Sequence, residues 1–262
     1  RFTPFNNGLT LPFTLSGIDA LSGVAQMRLS TSSAVDASGR LTTGTTFAYA
    51  TSGSLTWTGA QGPVTVYAQL IDAAGNVSGL SSDTIVVDTV APSGGLTIAP
   101  GAQASAGYTN SGTVNVSLTS PTEPNGGAVS FKMANDNGAG LTQAGFQDFT
   151  PTVAWFLDTS SEGSKTVYAQ FRDSAGNTSS VTSASITYDV TAPGGTLTAP
   201  ASTRTRPLSL TVASAASDLA AAPLTLSESA TFTGSTPQAL SSPVAFTLAN
   251  TGDGPRTVYA RF

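Results

Sequence analysis

From Thr65 to Ile71 the chain alternates between apolar and polar residues. Val66, Ala68 and Leu70 fall on one side of an extended strand, and Thr65, Tyr67 and Gln69 fall on the other. Successive strand side chains point to opposite faces, so the Val/Ala/Leu row belongs in a core and the Tyr/Gln row outside it. Val167, Ala169 and Phe171 alternate in the same way with Tyr168, Gln170 and Arg172. The alanine in each inward row leaves room for a large residue across the core. Trp155, Phe246 and Leu55 or Trp57, each a short way upstream, are the candidates to fill it. Other period-two runs are Leu11-Phe13-Leu15, Val114-Val116-Leu118 and Leu208-Leu210-Val212, followed by Ala25-Met27-Leu29, Val129-Phe131-Met133 and the weaker Leu224-Leu226. Gly and Pro cluster between the runs, as at 121–127 and 135–140, and no capped helical stripe is present. Many short strands separated by turn residues predict an all-β chain of sandwiches.

The strands recur as phrases. Thr65 to Asn76 returns at Thr166 to Asn177, and its opening returns at Thr257 to Phe262. Asp88-Thr89-Val90-Ala91-Pro92 returns as Asp189-Val190-Thr191-Ala192-Pro193. Tyr67 and Tyr168 are 101 residues apart, as are Asp88 and Asp189, whereas Tyr168 and Tyr259 are 91 apart. The expectation is a tandem array with repeats at 1–89, 90–190 and 191–262. The first repeat lacks an obvious first strand, and the third breaks off before its last hairpin. The chain therefore reads as a window on a longer polypeptide. Asp72 and Asp173 each lead into Ala-Gly-Asn or its equivalent, where Gly75 and Gly176 supply a positive φ and the aspartates accept turn amides. A hairpin between the last two strands of each repeat is predicted there.

Composition narrows the chemistry. Only 10% of the 262 residues are charged and the net charge is −5, so clustered cations for phosphate neutralisation are missing and nucleic acid is excluded as a partner. No run approaches the ~18 apolar residues of a spanning helix, so the chain is not read as transmembrane. The absence of Cys excludes disulfides and thiolate metal sites, and the absence of His removes the commonest general base and zinc ligand. With no Ser/His or Cys/His pair, no phosphate-cradling glycine loop and no pair of carboxylates placed for glycoside hydrolysis, the chain is read as a non-enzyme.

Leu21-Ser22-Gly23-Val24-Ala25-Gln26-Met27-Arg28-Leu29-Ser30, Gly163-Ser164-Lys165-Thr166-Val167-Tyr168, Asp253-Gly254-Pro255-Arg256-Thr257-Val258-Tyr259 and the segments around Asp72, Asp173, Asp88 and Asp189 carry a resemblance. The chain resembles the bacterial immunoglobulin-like tandem repeats of large cell-surface and S-layer proteins. The resemblance implies tandem Greek-key immunoglobulin-like β-sandwich domains set end to end, and an extracellular place at the bacterial cell surface or outer envelope layer. The copies have drifted: repeat 2 carries Gly126-Gly127-Ala128-Val129 in the Gly-Val-Ala block, and repeat 3 is Ala-rich from Ala213 to Ala222.

Related surface repeats commonly hold calcium at domain junctions, so the resemblance implies two junction sites, one from Asp72, Asn76 and Asp88 and one from Asp173, Asn177 and Asp189. The other reading is that Asp88 and Asp189 only begin the linker turn. The Asn135-Asp136-Asn137-Gly138 loop resembles part of an EF-hand but lacks its bidentate Glu, and is read as a turn. Asn76, Asn115 and Asn177 stand in glycosylation triplets, read as chance in a Ser/Thr-rich chain. The outward Tyr67, Tyr168 and Tyr259 either pack on cross-strand neighbours or meet a sugar ring or subunit.

Two main functions follow. One is a structural building block of an S-layer-like envelope lattice made by self-association of copies or domains of the same protein, favoured by low charge and drifting copies. The other is the stalk or adhesive region of a large surface adhesin that meets a glycan or cell-surface ligand. A strand-complemented filament subunit is the third reading.

Overall fold

The computed structural model describes residue 2 and residues 4–100, 107–119, 121–125, 127–214, 223–249 and 252–262. Gly126 and residues 215–222 of the Ala-rich stretch lie outside these. The chain divides into two compact units, Arg1–Asp189 and Val190–Phe262.

The first unit contains two sandwiches of one design. In repeat 1, β1 (Phe5–Asn6), β2 (Thr10–Thr14), β3 (Val24–Ser30), β4 (Thr45–Ala48), β5 (Ser52–Thr56), β6 (Gly62–Asp72) and β7 (Ser81–Val87) form a five-stranded sheet, β1-β7-β6-β3-β4, facing the pair β2-β5. In repeat 2, β8 (Leu96–Ile98), β9 (Tyr108–Thr109), β10 (Thr113–Leu118), β11 (Ser130–Ala134), a one-turn helix α1 (Ala139–Gln143), β12 (Gln147–Asp148), β13 (Thr152–Phe156), β14 (Gly163–Arg172) and β15 (Thr182–Tyr188) give β9-β15-β14-β11-β12 against β8-β10-β13. In both, the first strand of the larger sheet runs parallel to the last, and every other pair is antiparallel.

The inward rows build the cores. Leu11, Phe13, Met27, Leu29, Val64, Val66, Ile85 and Val87 are buried together, with Leu55 and Trp57 packed against them. The second core holds Val114, Val116, Leu118, Phe131, Met133, Val167, Ala169, Phe171 and Ile186, with Trp155 partly buried against the cluster. Phe131 and Phe171 are the largest fully buried side chains. The hairpin turns form as the glycines demand: Gly75 has φ 91° and Gly176 φ 95°.

Gln69 departs from the predicted pattern. It lies on the outward row of β6 yet is buried to 1% exposure. The β3–β4 connection folds over that face and places Leu41, itself 1% exposed, against the sheet. Gln69 Oε1 accepts from the Leu41 amide at 3.0 Å, and Nε2 donates to the carbonyls of Gly39 at 2.7 Å and Ser78 at 2.9 Å. Its polar atoms are thus satisfied, which makes the burial tolerable. In repeat 2 the corresponding cover comes from α1, whose Leu141 is buried. Asp136 accepts the amides of Gly138 at 2.9 Å and Gly140 at 3.1 Å, so the EF-hand-like loop is a turn that opens this helix.

The second unit carries β16 (Gly195–Thr198), β17 (Pro207–Ser214), β18 (Pro223–Ser227), β19 (Gln238–Ala239), β20 (Val244–Thr247) and β21 (Tyr259–Arg261). They form the sheets β16-β17-β20 and β19-β18-β21 around Leu208, Leu210, Val212, Leu224, Leu226 and Val244, with Phe246 packed alongside. Among the described residues, no helix is long and apolar enough to cross a membrane.

Candidate functional site

The six acids and amides named from the sequence are not grouped as the sequence suggested. β6 and β7 are antiparallel neighbours with Gly62 opposite Val87, so Asp88 emerges beside the start of β6 while Asp72 ends it. Ten strand residues at about 3.3 Å each put Asp72 and Asp88 roughly 30 Å apart, at opposite ends of the sandwich. β14 and β15 separate Asp173 from Asp189 in the same way, since Gly163 lies opposite Tyr188. Each predicted trio is therefore split, its members lying at opposite ends of their own sandwich.

The junction between repeats 1 and 2 joins one member of the first trio to two of the second. Asp88 at the tail of repeat 1 meets Asp173 and Asn177 at the head of repeat 2, together with Glu123 from the β10–β11 connection. Carboxylate oxygens of Asp88, Glu123 and Asp173 all lie within 4.8 Å of one another. Asp88 and Asp173 are buried, at 1% and 5% exposure, and Glu123 is half-buried.

Hydrogen bonds set each group. The Asp88 amide donates to the Asn6 carbonyl at 2.9 Å, extending the β1–β7 ladder and fixing the backbone as it leaves the sandwich. Asp88 Oδ1 accepts from the Val90 amide at 2.9 Å and from Asn125 Nδ2 at 2.8 Å. Asp173 Oδ1 accepts the turn amides of Gly176 at 2.8 Å and Asn177 at 2.9 Å. Asn177 Nδ2 reaches Asp173 Oδ2 and the Asp88 carbonyl, both at 2.9 Å, and so ties the head of repeat 2 to the tail of repeat 1. Asn125 Nδ2 also donates to Gln61 Oε1 at 3.3 Å. A short β-bridge between Ser93 and Thr122 holds the β10–β11 connection against the linker.

Among the described residues, Asp88 Oδ2 and Glu123 Oε2 have no hydrogen-bond donor, and both are buried. A buried carboxylate without a positive partner is costly. Burial first, and then the charges of Asp88 and Asp173, push the Glu123 carboxyl above its ordinary 4.5, against the lowering effect of the Asn125 amide. The arrangement has two ways to relieve itself: a proton shared on Glu123, or a cation among the oxygens. The three carboxylates offer only oxygen ligands, which suits a hard divalent ion. Three carboxylates within one ion's reach fit calcium better than the two acids of either predicted trio.

Asp72 and Asn76 pair with each other at the far end of repeat 1, Asn76 Nδ2 donating to Asp72 Oδ2 at 2.7 Å and its amide to Oδ1 at 2.8 Å. Asp189 follows β15 as Asp88 follows β7, its amide donating to the Thr109 carbonyl at 3.0 Å. Sequence reasoning missed Glu123 and Asn125, which it treated as part of a turn. The available signal was an acid two residues before a potential amide ligand, just ahead of a strand.

The topology can now be set beside known proteins. Residues 6–89 match the family model described as a bacterial Ig-like domain. Among solved structures, the fibronectin(III)-like modules of Clostridium thermocellum CbhA align at 14% identity and TM-score 0.39 over 70% of this chain and 87% of theirs. A 1.5-MDa bacterial ice-binding adhesin aligns at 16% identity and TM-score 0.34 over 83% and 72%. The D00-D0 domain of intimin aligns at 13% identity and TM-score 0.28 over 72% and 96%. Among curated proteins the sequence has no match. The family match covers the first sandwich, whose strand order the second repeats. Residues 6–89 accordingly form a sandwich similar to the bacterial Ig-like domain.

Proposed function

We propose that the chain is a non-enzymatic structural segment of a bacterial cell-surface assembly, in which Ig-like sandwiches are fastened end to end by calcium. The observation that carries this reading is the junction cluster: Asp88 from one repeat, Glu123 and Asp173 from the next, with two buried oxygens lacking donors. A cation held by both repeats turns a flexible linker into a stiff joint, because separating the repeats strips the ion of ligands. Ala91-Pro92 adds stiffness, since proline fixes its own φ and restrains its predecessor.

Within that role the preferred assembly is an S-layer-like envelope lattice built by self-association. A chain with only 10% charged residues lets like copies pack without strong repulsion. The end-to-end junction supports the second reading, a stalk or adhesive region presenting a glycan- or cell-binding end elsewhere in its parent. Electron microscopy of the purified protein in calcium separates them. A two-dimensional lattice is the expected result, and isolated thin fibres would favour the stalk. Calcium binding is tested by calorimetric titration of the full chain. Binding that is unaffected by Asp88→Asn and Glu123→Gln would remove the junction site from the proposal.

A further inference from the structure

Repeat 1 has at its own head the elements that repeat 2 uses to receive repeat 1. The turn Asp72–Asn76 corresponds to Asp173–Asn177, each aspartate accepting the amide of the asparagine four residues on. The β2–β3 connection corresponds to the β10–β11 connection. Asp19 stands where Glu123 stands: Asp19 Oδ2 accepts the Leu21 amide at 3.2 Å and Glu123 Oε1 the Asn125 amide at 3.1 Å, each two residues on. Asp19 also accepts the amides of Ser22 and Gly23, at 2.7 Å and 2.8 Å, so the loop is held in one shape. Ser22 Oγ donates to Asp19 Oδ2 at 3.2 Å, and the Ala73 amide donates to the Gly23 carbonyl at 3.2 Å, so this connection and the Asp72 turn share one surface.

The difference lies in what covers this surface. In repeat 2, Asp173 is buried and Asn177 half-buried beneath the tail of repeat 1. In repeat 1, Asp72 is half-buried and Asn76 exposed. Ile18 and Leu21, on the same connection as Asp19, are each 100% exposed. Two fully exposed apolar side chains beside two ordered carboxylates form a face with a missing cover.

We infer that this face, Ile18, Asp19, Leu21, Asp72 and Asn76, is a docking surface for the tail of another sandwich of the same repeat type. The occupant carries an aspartate where repeat 1 has Asp88, to complete the carboxylate set with Asp19 and Asp72. Its backbone carbonyl receives the Asn76 amide as the Asp88 carbonyl receives Asn177. Leu21 also sets specificity. At the equivalent place Asn125 meets Gln61 of repeat 1, so an occupant for Leu21 presents an apolar side chain where repeat 1 has Gln61. The cation at this second junction rests on the calcium reading above, but the docking face does not.

The chain has no cysteine, so Ile18→Cys gives a single thiol on an exposed position. Its alkylation rate is measured in the full chain and in the same chain prolonged at its N-terminus by a second copy of residues 1–103. That copy is made both with native Gln61 and with Gln61→Leu. The expected result is alkylation slowed at least about tenfold in the Gln61→Leu form and less in the native form. Equal rates in all three proteins overturn the docking surface, and equal slowing by both copies overturns the role of Leu21. Slowing that survives both chelator and Asp19→Asn keeps the docking face and removes the cation from this second junction, leaving the Asp88 junction to its own test.

Discussion

Asn177 donates its side-chain amide to the backbone carbonyl of Asp88 at 2.9 Å, linking residues 89 positions apart across the boundary between two sandwiches. The same nitrogen is held by Asp173 Oδ2, so the turn that closes the β14–β15 hairpin is also the clasp for the preceding repeat. Local hairpin chemistry and interdomain attachment thus share one side chain.

Replacing Asn177 with Ala removes both bonds and leaves the Asp88 carbonyl and Asp173 Oδ2 to find water. Loss of stability by about 1–3 kcal/mol is expected for groups buried at this level. Calorimetry of the full chain should show the melting of repeats 1 and 2 separating into two steps. A single unshifted transition would show that Asn177 contributes nothing to the joint.

Calcium should raise the melting temperature of the same unit. At a free concentration of one hundred times Kd, binding to the folded state alone adds about 2.7 kcal/mol. Asp88→Asn and Glu123→Gln should each abolish most of that gain. Asp72→Asn should leave it intact, because Asp72 lies at the far end of the sandwich.

Acidity distinguishes the proton from the cation. The Glu123 carboxyl sits above 4.5 in the folded protein, so the folded state binds that proton more tightly than the unfolded chain. Its contribution to stability is present below about pH 4.5 and is lost as pH rises through the folded value. In chelator, the stability difference between the native protein and Glu123→Gln should therefore shift against the native protein as pH rises above about 4.5. In calcium the trend should reverse, because the ion needs the ionised carboxylate. Melting curves across this range, compared pairwise, provide the check, and parallel curves in chelator would refute the assignment.

Gln69→Leu should be more damaging than a polar-to-apolar change on an outer strand row suggests. It orphans the Leu41 amide and the carbonyls of Gly39 and Ser78 under a closed loop. A cost of about 1–3 kcal/mol is expected for a buried group left unpaired. Denaturant midpoints would measure it, with a loss below about 0.5 kcal/mol counting against the closed loop.

Gly94 tests the fit of the linker. A Cβ there would lie 2.6 Å from the Phe171 ring, itself fully buried. Gly94→Ala should cost about 1–3 kcal/mol through displaced packing. Phe171→Leu in the same background should recover part of that loss by vacating ring volume, and no recovery would place the strain elsewhere.

The class of fold, the strands and the hairpin turns are all legible in the local order of residues. Val167, Ala169 and Phe171 go inward because a pleated strand allows only two faces, and Gly75 and Gly176 turn because only glycine takes that φ cheaply. These are local rules, legible within a few residues. Which distant groups meet depends instead on how the strands pair and how the repeats pack. Asp72 and Asp88 are 16 residues apart in the chain and stand at opposite ends of one sandwich, whereas Asp88 and Asp173, in different repeats, share one buried cluster. The same holds for Gln69, whose period-two position says outward until a loop folds over it. Antiparallel pairing sends the head and tail of each repeat to opposite poles, so a site between repeats must combine the tail of one with the head of the next.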